Sequence, residues 1–209
     1  TDKGRAGAVK AGEIMKGAGV NFDEVHTSKL NRAIETAQLA QKGMSAQWVP
    51  LQKFWRLNER CYGDLEGKKR EDVAKEVGDD QVKIWRRSFD VPPPSLAVTD
   101  ARSPVKDPRY ADLDPRVIPA SESLKDVIAR VGPYWTDQLR PAIKSGKTVL
   151  VVGHSTNLRA LSAWIEPNLD EKALQKLEIK NTKPILYEFD KNMNVICRKV
   201  LEPSTVKKE

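Results

Sequence analysis

The sequence has 209 residues, enough for one sizeable hydrophobic core, and we expect a single domain over residues 1–209. Its 36 lysines and arginines exceed its 29 acidic residues, and the net charge of +7 suits a protein that handles small anions. Because the basic residues are interspersed with acidic ones, binding of nucleic acid is the weaker interpretation.

Cysteine usage and hydropathy indicate the compartment. Cys61 and Cys197 are the only cysteines, so a disulfide framework is excluded, and their spacing is not that of a metal site. No apolar run is long enough to cross a bilayer, and no signal or transit pattern opens the chain. We therefore expect a cytoplasmic protein with no metal and no membrane partner.

The first quarter of the chain predicts alternating helices and strands from its apolar spacing. Thr27 and Ser28 are expected to cap the second helix, and Arg32 lies in its first turn. A cation is unfavourable there for the helix dipole, so Arg32 either faces an anion or is an ordinary solvated side chain. The predicted elements are a helix over 4–16, a strand over 22–26, a helix that ends at Gly43 and a strand over 47–51.

Aromatic and charged residues crowd the segment 55–63. Glu59 is a candidate proton-transfer group if it lies near His154 in a cleft. The alternative is a structural glutamate paired with Arg56 or Arg60. The segment alone leaves both interpretations open.

Two short helices, 69–77 and 80–88, should be separated by Gly78. Arg86 and Arg87 lie near the end of the second, where neighbouring arginines can reach one ligand, and are candidate forks for phosphate or carboxylate. The prolines and weak periodicity that follow predict an inserted, ordered cover loop at about 91–120. Helical spacing is then expected over 121–143, with Pro133 either kinking or restarting the helix.

The stretch 148–161 predicts a strand, a turn and a helix. The apolar run Val149–Val152 is typical of a parallel strand buried on both faces, and His154 follows its carboxyl end. Ligands collect outside the carboxyl ends of such strands, so His154 is a candidate anion-site residue; the alternative is a hydrogen-bonded turn histidine. The remaining predictions are helices to 165 and over 171–177, strands over 185–189 and 195–201, and a flexible tail over 202–209.

Taken together, these stretches resemble the cofactor-dependent phosphoglycerate mutases of the histidine phosphatase superfamily. The resemblance covers nearly the whole chain in the family's order. Two of its stretches, 56–63 and 85–90 with the prolines 92–94, look like mutases in particular. It implies an α/β fold of three layers, with a mostly parallel sheet flanked by helices and an inserted cover. The stretches are 26–33, 56–63, 85–90 with the prolines 92–94, 107–110, and His154 with 158–161.

The resemblance implies interconversion of 3-phosphoglycerate and 2-phosphoglycerate in glycolysis and gluconeogenesis, through a phosphohistidine primed by 2,3-bisphosphoglycerate. It assigns His154 to stabilise the transferring phosphoryl group as a protonated donor, and Glu59 to exchange the proton of the substrate hydroxyl. A homodimer is possible, and a phosphate-ester phosphatase of the same superfamily is the alternative activity. The substrate-binding residues that it implies are Arg32, Arg60, Tyr62, Arg70, Arg86, Arg87, Ser155 and Thr156.

The chain departs from the family's pattern in three places. It lacks the strand that ends in the nucleophilic Arg-His-Gly motif, and its only histidines are His26 and His154. Ser155 stands where the family usually has a glycine, which adds a Cβ beside the phosphate, and Arg70 replaces a lysine. We therefore expect the chain to be inactive by itself and poorly stable. It is either a fragment of a mutase, which its abrupt start favours, or a non-catalytic relative that binds anions or partners.

Overall fold

The computed structural model describes residues 1–203. The predicted flexible tail, 202–209, lies mostly outside the described residues. The strands are β1 (Glu24–Thr27), β2 (Leu51–Lys53), β3 (Val149–Val152), β4 (Ile185–Phe189) and β5 (Val195–Val200). The helices are α1 (Asp2–Gly17), α2 (Asn31–Met44), α3 (Arg70–Val77), α4 (Asp79–Arg87), α5 (Leu124–Tyr134), α6 (Arg140–Lys144), α7 (Ser155–Ile165) and α8 (Glu171–Lys176).

The sheet that carries the site has the order β2-β1-β3, and both pairings are parallel. Val25 of the central strand is fully buried between its partners Leu51 and Leu150. β4 and β5 form a separate antiparallel pair. Helices cover both faces, with α1 and α2 on one and α5 and α7 on the other, which confirms the predicted α/β class.

β3 has the predicted position but not the predicted burial. Val149, Leu150 and Val151 are only half-buried, and Val152 alone is buried. β3 pairs with β1 along one edge, and an apolar cavity of about 750 Å³ separates its other edge from β4. The continuous apolar run identified a strand inside an α/β sheet, but it could not show that one edge has no paired strand in the described part of the chain, residues 1–203.

The expected caps of α2 are wrong. The Thr27 hydroxyl donates to the carbonyl of Val152 at 2.9 Å, which ties β1 to β3. Ser28 Oγ accepts from the backbone N–H of Leu30 at 3.1 Å, one residue before the helix, and no side chain caps Asn31. Both hydroxyls serve contacts across the sheet, because this turn lies directly beside the end of β3.

Glycines let α1 and α2 cross closely, and Gly43 lies inside α2 instead of ending it. A Cβ on Gly12 would stand 2.1 Å from the carbonyl oxygen of Ala40, and one on Gly43 would stand 2.1 Å from that of Val9. Backbone cannot move aside as a flexible side chain can, so neither position accepts even a methyl group without separating the helices.

We expect Gly12→Ala to lower the free energy of unfolding by about 2 kcal/mol, because the added methyl overpacks this crossing. Gly4→Ala is the matched control on the same helix, since its Cβ would meet only Thr1 Oγ1 at 3.3 Å. That variant should be neutral or slightly stabilising. Urea titrations of both variants check the prediction, and equal midpoints would contradict it.

The remaining elements follow the sequence with local shifts. The second strand lies at Leu51–Lys53 instead of 47–51. Pro133 falls inside α5, one residue before its end, and a π-helical turn at Trp135–Leu139 then joins α5 to α6. The segment 91–120 contains three single 3-10 turns; its role as a cover and the single-domain organisation stay predictions. No helix within residues 1–203 is long and apolar enough to span a membrane.

Candidate active site

A cavity of about 500 Å³ opens at the carboxyl end of β3, where four of the residues singled out in the sequence line its wall: Arg32, Glu59, His154 and Ser155. Three separate elements supply them. Arg32 lies in the first turn of α2, Glu59 in the loop after the 3-10 turn Trp55–Leu57, and Ser155 at the start of α7. The end of a parallel strand and the start of a helix thus form the site, as predicted for α/β ligands.

His154 is fixed through both ring nitrogens. Arg32 Nε donates to His154 Nδ1 at 3.1 Å, and His154 Nε2 lies 2.9 Å from Ser28 Oγ. Because Nδ1 accepts a hydrogen bond, the ring is the neutral tautomer with its proton on Nε2. Burial lowers the pKa of His154 to about 4, helped by the positive charges of Arg32 and Arg130. The imidazole is therefore neutral at pH 7 without ligand, and the predicted imidazolium beside a bound phosphate stays a prediction.

Glu59 is half-buried, and its carboxylate accepts from the backbone N–H of Arg60 at 2.8 Å. The structural alternative required an ion pair with Arg56 or Arg60. Neither pair is present among residues 1–203: Arg56 donates to the carbonyl of Arg130, and Arg60 to that of Trp85. One carboxylate oxygen of Glu59 thus remains available to the cavity.

Cations stack around Tyr62 next to Glu59. The Arg60 guanidinium carbon lies 4.4 Å from the centre of the Tyr62 ring, and that of Arg86 lies 5.2 Å from it. Arg86 and Arg87 form the exposed last turn of α4, as the sequence predicted. The stack places positive charge beside Glu59, in the range that attraction between cations and aromatic rings favours.

The sequence interpretation assigned no role to Arg159. It is half-buried on α7, donates to the carbonyl of Leu177 at 3.0 Å, and has a pKa lowered by burial and by the charge of Arg87. The sequence could have indicated Arg159 as a site residue, because it follows Ser155 by four residues and so lies on the same helix face.

Two of the predicted binding residues lie away from this cluster. Arg70 is exposed at the start of α3 and stands 3.8 Å from Asp79. Thr156 is half-buried one residue beyond Ser155. Helix α3 carries Arg70 outward in the present arrangement, so its contact with a ligand stays a prediction.

The apolar cavity beside β3 is continuous with this site. It lies between β3 and β4 and shares Leu150, Val151 and Leu158 with the site cavity. Within residues 1–203 this edge of β3 has no paired strand, and the cavity beside it borders the site of His154.

Comparison with known protein families gives one consistent match. The model of the histidine phosphatase superfamily (branch 1) matches residues 1–105 and 97–200. A 2,3-bisphosphoglycerate-dependent phosphoglycerate mutase of Streptococcus thermophilus is 45% identical over 196 residues, which are 94% of this chain and 85% of the relative. The protein of the same name from Streptococcus sanguinis has the same identity and coverage.

Solved structures share the fold at lower identity. A mycobacterial glucosyl-3-phosphoglycerate phosphatase in complex with inorganic phosphate superposes with a TM-score of 0.66 at 19% identity, over 96% of this chain and 84% of its own. YhfR from Bacillus stearothermophilus gives 0.64 at 22%, over 93% and 80%. A phosphoglycerate mutase from Bacillus anthracis gives 0.59 at 22%, over 88% and 73%.

Proposed function

Because the chain belongs to the histidine phosphatase superfamily, we propose that its site performs the phosphoglycerate mutase reaction, interconverting 3-phosphoglycerate and 2-phosphoglycerate with 2,3-bisphosphoglycerate as the priming phosphate donor. The convergence of Arg32, Glu59 and His154 on one cavity carries this proposal. The 45% identity to proteins named as such mutases supports it over a general phosphatase, since the phosphatases among the solved structures share the fold alone.

The transferring phosphoryl group is held by Arg32, His154 and the start of α7. Phosphoryl transfer gathers negative charge on the equatorial oxygens, which positive groups and N–H donors stabilise. Arg32 is exposed to the cavity, and the first N–H groups of α7 lie beside it at Ser155. The negative charge of the phosphate raises the pKa of His154 and so favours the protonated donor.

Glu59 exchanges the proton of the substrate hydroxyl, and the neighbouring cations hold the rest of the substrate. A carboxylate with one free oxygen in a half-buried position suits proton transfer. The carboxylate and second phosphate of the ligand are anionic, and they fit Arg60 and Arg86 around Tyr62, with Arg87 next on α4. Arg70 and Thr156 stay in the proposal as binding residues through the resemblance to the mutases alone.

The proposal assigns the role of phosphoryl acceptor to neither His26 nor His154, the two histidines of the sequence. His26 is buried on β1, and its Nδ1 contacts the hydroxyl of Tyr134. Burial lowers the pKa of His26 despite the nearby carboxylate of Glu24. The proposal uses His154 as the donor to the transferring phosphoryl group.

A fused enzyme tests this proposal: the chain preceded by a strand segment that carries the Arg-His-Gly motif. We expect mutase activity primed by 2,3-bisphosphoglycerate in the fused enzyme and none in the 209-residue chain. The matched control is the same fusion with glutamine in place of the motif's histidine, which should fold equally well and remain inactive. Hydrolysis of phosphate esters without mutase activity would establish a phosphatase, and neither activity would favour an anion-binding or partner-binding role.

The proposal includes a cytoplasmic location and no metal requirement. Activity that persists in the presence of a chelator checks the latter. The proposal also includes a homodimer, and light scattering of the fused enzyme tests it.

A further inference from the structure

Arg130 of α5 reaches across to the loop that carries Glu59. Its side chain is 7% exposed, and its five N–H groups have five acceptors. Three of these are backbone carbonyls on the amino-terminal side of Glu59, and two are the oxygens of Glu122. The distances are 2.7 Å to Arg56 O, 3.4 Å to Trp55 O, 3.2 Å to Asn58 O, and 2.5 and 3.0 Å to the Glu122 carboxylate.

Glu122 holds the same loop on the other side of Glu59. Its Oε2 accepts from the backbone N–H of Cys61 at 2.9 Å, and its own N–H donates to the carbonyl of Cys61 at 2.9 Å. The Glu122 side chain is 3% exposed. Arg130 and Glu122 therefore hold the backbone by hydrogen bonds at Asn58, immediately before Glu59, and at Cys61, two residues after it.

The start of α5, which carries Arg130 and follows Glu122, is firmly packed. Ser123 and Asp126 form a capping box at the start of α5, directly after Glu122. Val127 and Val131 flank Arg130 on the helix and are fully buried in the core. A catalytic side chain on a loop keeps its geometry only where its supporting residues are locked in this way.

We propose that Arg130 and Glu122 are positioning residues that hold the backbone on both sides of Glu59, so that its carboxylate faces the cavity in the geometry needed for proton transfer. The inference rests on the proposed role of Glu59 and extends it to two residues that do not line the site cavity.

The chemistry of the pair favours positioning over a contribution to stability alone. A buried ion pair pays a desolvation cost that apolar residues of similar volume avoid, so it is weak evidence for stability. A planar guanidinium fork can satisfy a carboxylate and several carbonyls at fixed angles, which one ammonium cannot do. The positive charge of Arg130 also contributes, after burial and Arg32, to the lowered pKa of His154.

Amide hydrogen exchange on the 209-residue chain tests whether Arg130 and Glu122 hold the loop of Glu59, and it requires no enzymatic activity. In Arg130→Lys the amides of residues 58–61 should lose protection by about tenfold or more beyond any change elsewhere, because local opening then needs fewer broken contacts. Arg102→Lys is the matched control. Arg102 also donates to two carbonyls of a loop, those of Asp64 and Glu66, and pairs with a carboxylate, but its side chain is 37% exposed. Loss of protection that is uniform along the chain, or absent, would overturn the proposal.

Kinetics of the fused enzyme separate positioning from folding. Arg130→Ala should lower kcat by about tenfold to a hundredfold, the scale of a misplaced catalytic group, with KM for 3-phosphoglycerate nearly unchanged. Added methylguanidinium should restore part of kcat by filling the space beside Glu122, whereas methylammonium should not. An unchanged kcat, or a rise in KM alone, would overturn the proposal. If the fused enzyme has no mutase activity, the proposed function fails, and the exchange experiment still decides whether the pair holds this loop.

Discussion

His154→Ala in the fused enzyme should slow phosphorylation of the acceptor histidine by about a hundredfold or more, the scale seen when one transition-state donor is removed. His154 lies at the end of β3, and its ring is already held between Ser28 and Arg32 before the ligand arrives. Alanine removes this donor and also releases Arg32 from its contact with the ring. Rapid-quench measurement of phosphoenzyme formation from 2,3-bisphosphoglycerate gives the rate directly.

His26→Gln is the matched control for this experiment. His26 is also a buried histidine, but it lies on β1 against Tyr134 and does not line the site cavity. The control can lower the melting temperature, yet it should leave the rate of phosphorylation close to that of the parent. If His154→Ala phosphorylates as fast as His26→Gln, His154 is only a hydrogen-bonded turn residue.

Glu59→Gln should lower turnover by about a hundredfold or more while the substrate still binds, because a positioned proton-transfer group contributes on that scale. The amide oxygen of glutamine can still accept from the N–H of Arg60, so the loop geometry is conserved. Without a titrating carboxylate, the acidic limb of the pH profile of turnover should also flatten. Steady-state rates across the acidic range measure both effects.

The structural interpretation of Glu59 makes the opposite prediction for the same protein. A purely structural glutamate would give a lower melting temperature and an unchanged shape of the pH profile. Glu66→Gln is the control, since Glu66 also accepts a backbone N–H in a nearby turn, from Tyr62 at 3.0 Å, and has no proposed catalytic role. The melting temperature and the pH profile of turnover should be measured on the same preparations. An unchanged pH profile in Glu59→Gln would mean that Glu59 is not a catalytic residue.

Local patterns in the sequence were sufficient for most elements. The apolar run Val149–Val152 specified β3, and helical spacing specified α7 and the two helices around Gly78. These predictions succeeded because periodicity and backbone restriction act within a few residues. The motif order likewise indicated the family, which the comparisons confirm. The assignment of Arg32 and Glu59 to one site with His154 followed from that resemblance and not from local spacing.

Interactions between distant segments decided the rest. Thr27 and Ser28 look like helix caps, but they bond to Val152 and His154, more than 120 residues away in the chain. Gly43 resembles a helix stop, yet it serves the crossing of two helices.

The sequence by itself determined where the strands and helices form and which family motifs they carry. Only the tertiary structure decided that one edge of β3 has no paired strand within residues 1–203, that the charge of Arg87 acts on Arg159, and that Arg130 holds the loop of Glu59. The physical reason is that the pairing of strand edges and the satisfaction of buried polar groups depend on which distant segments meet, and no pattern within one segment encodes those partners.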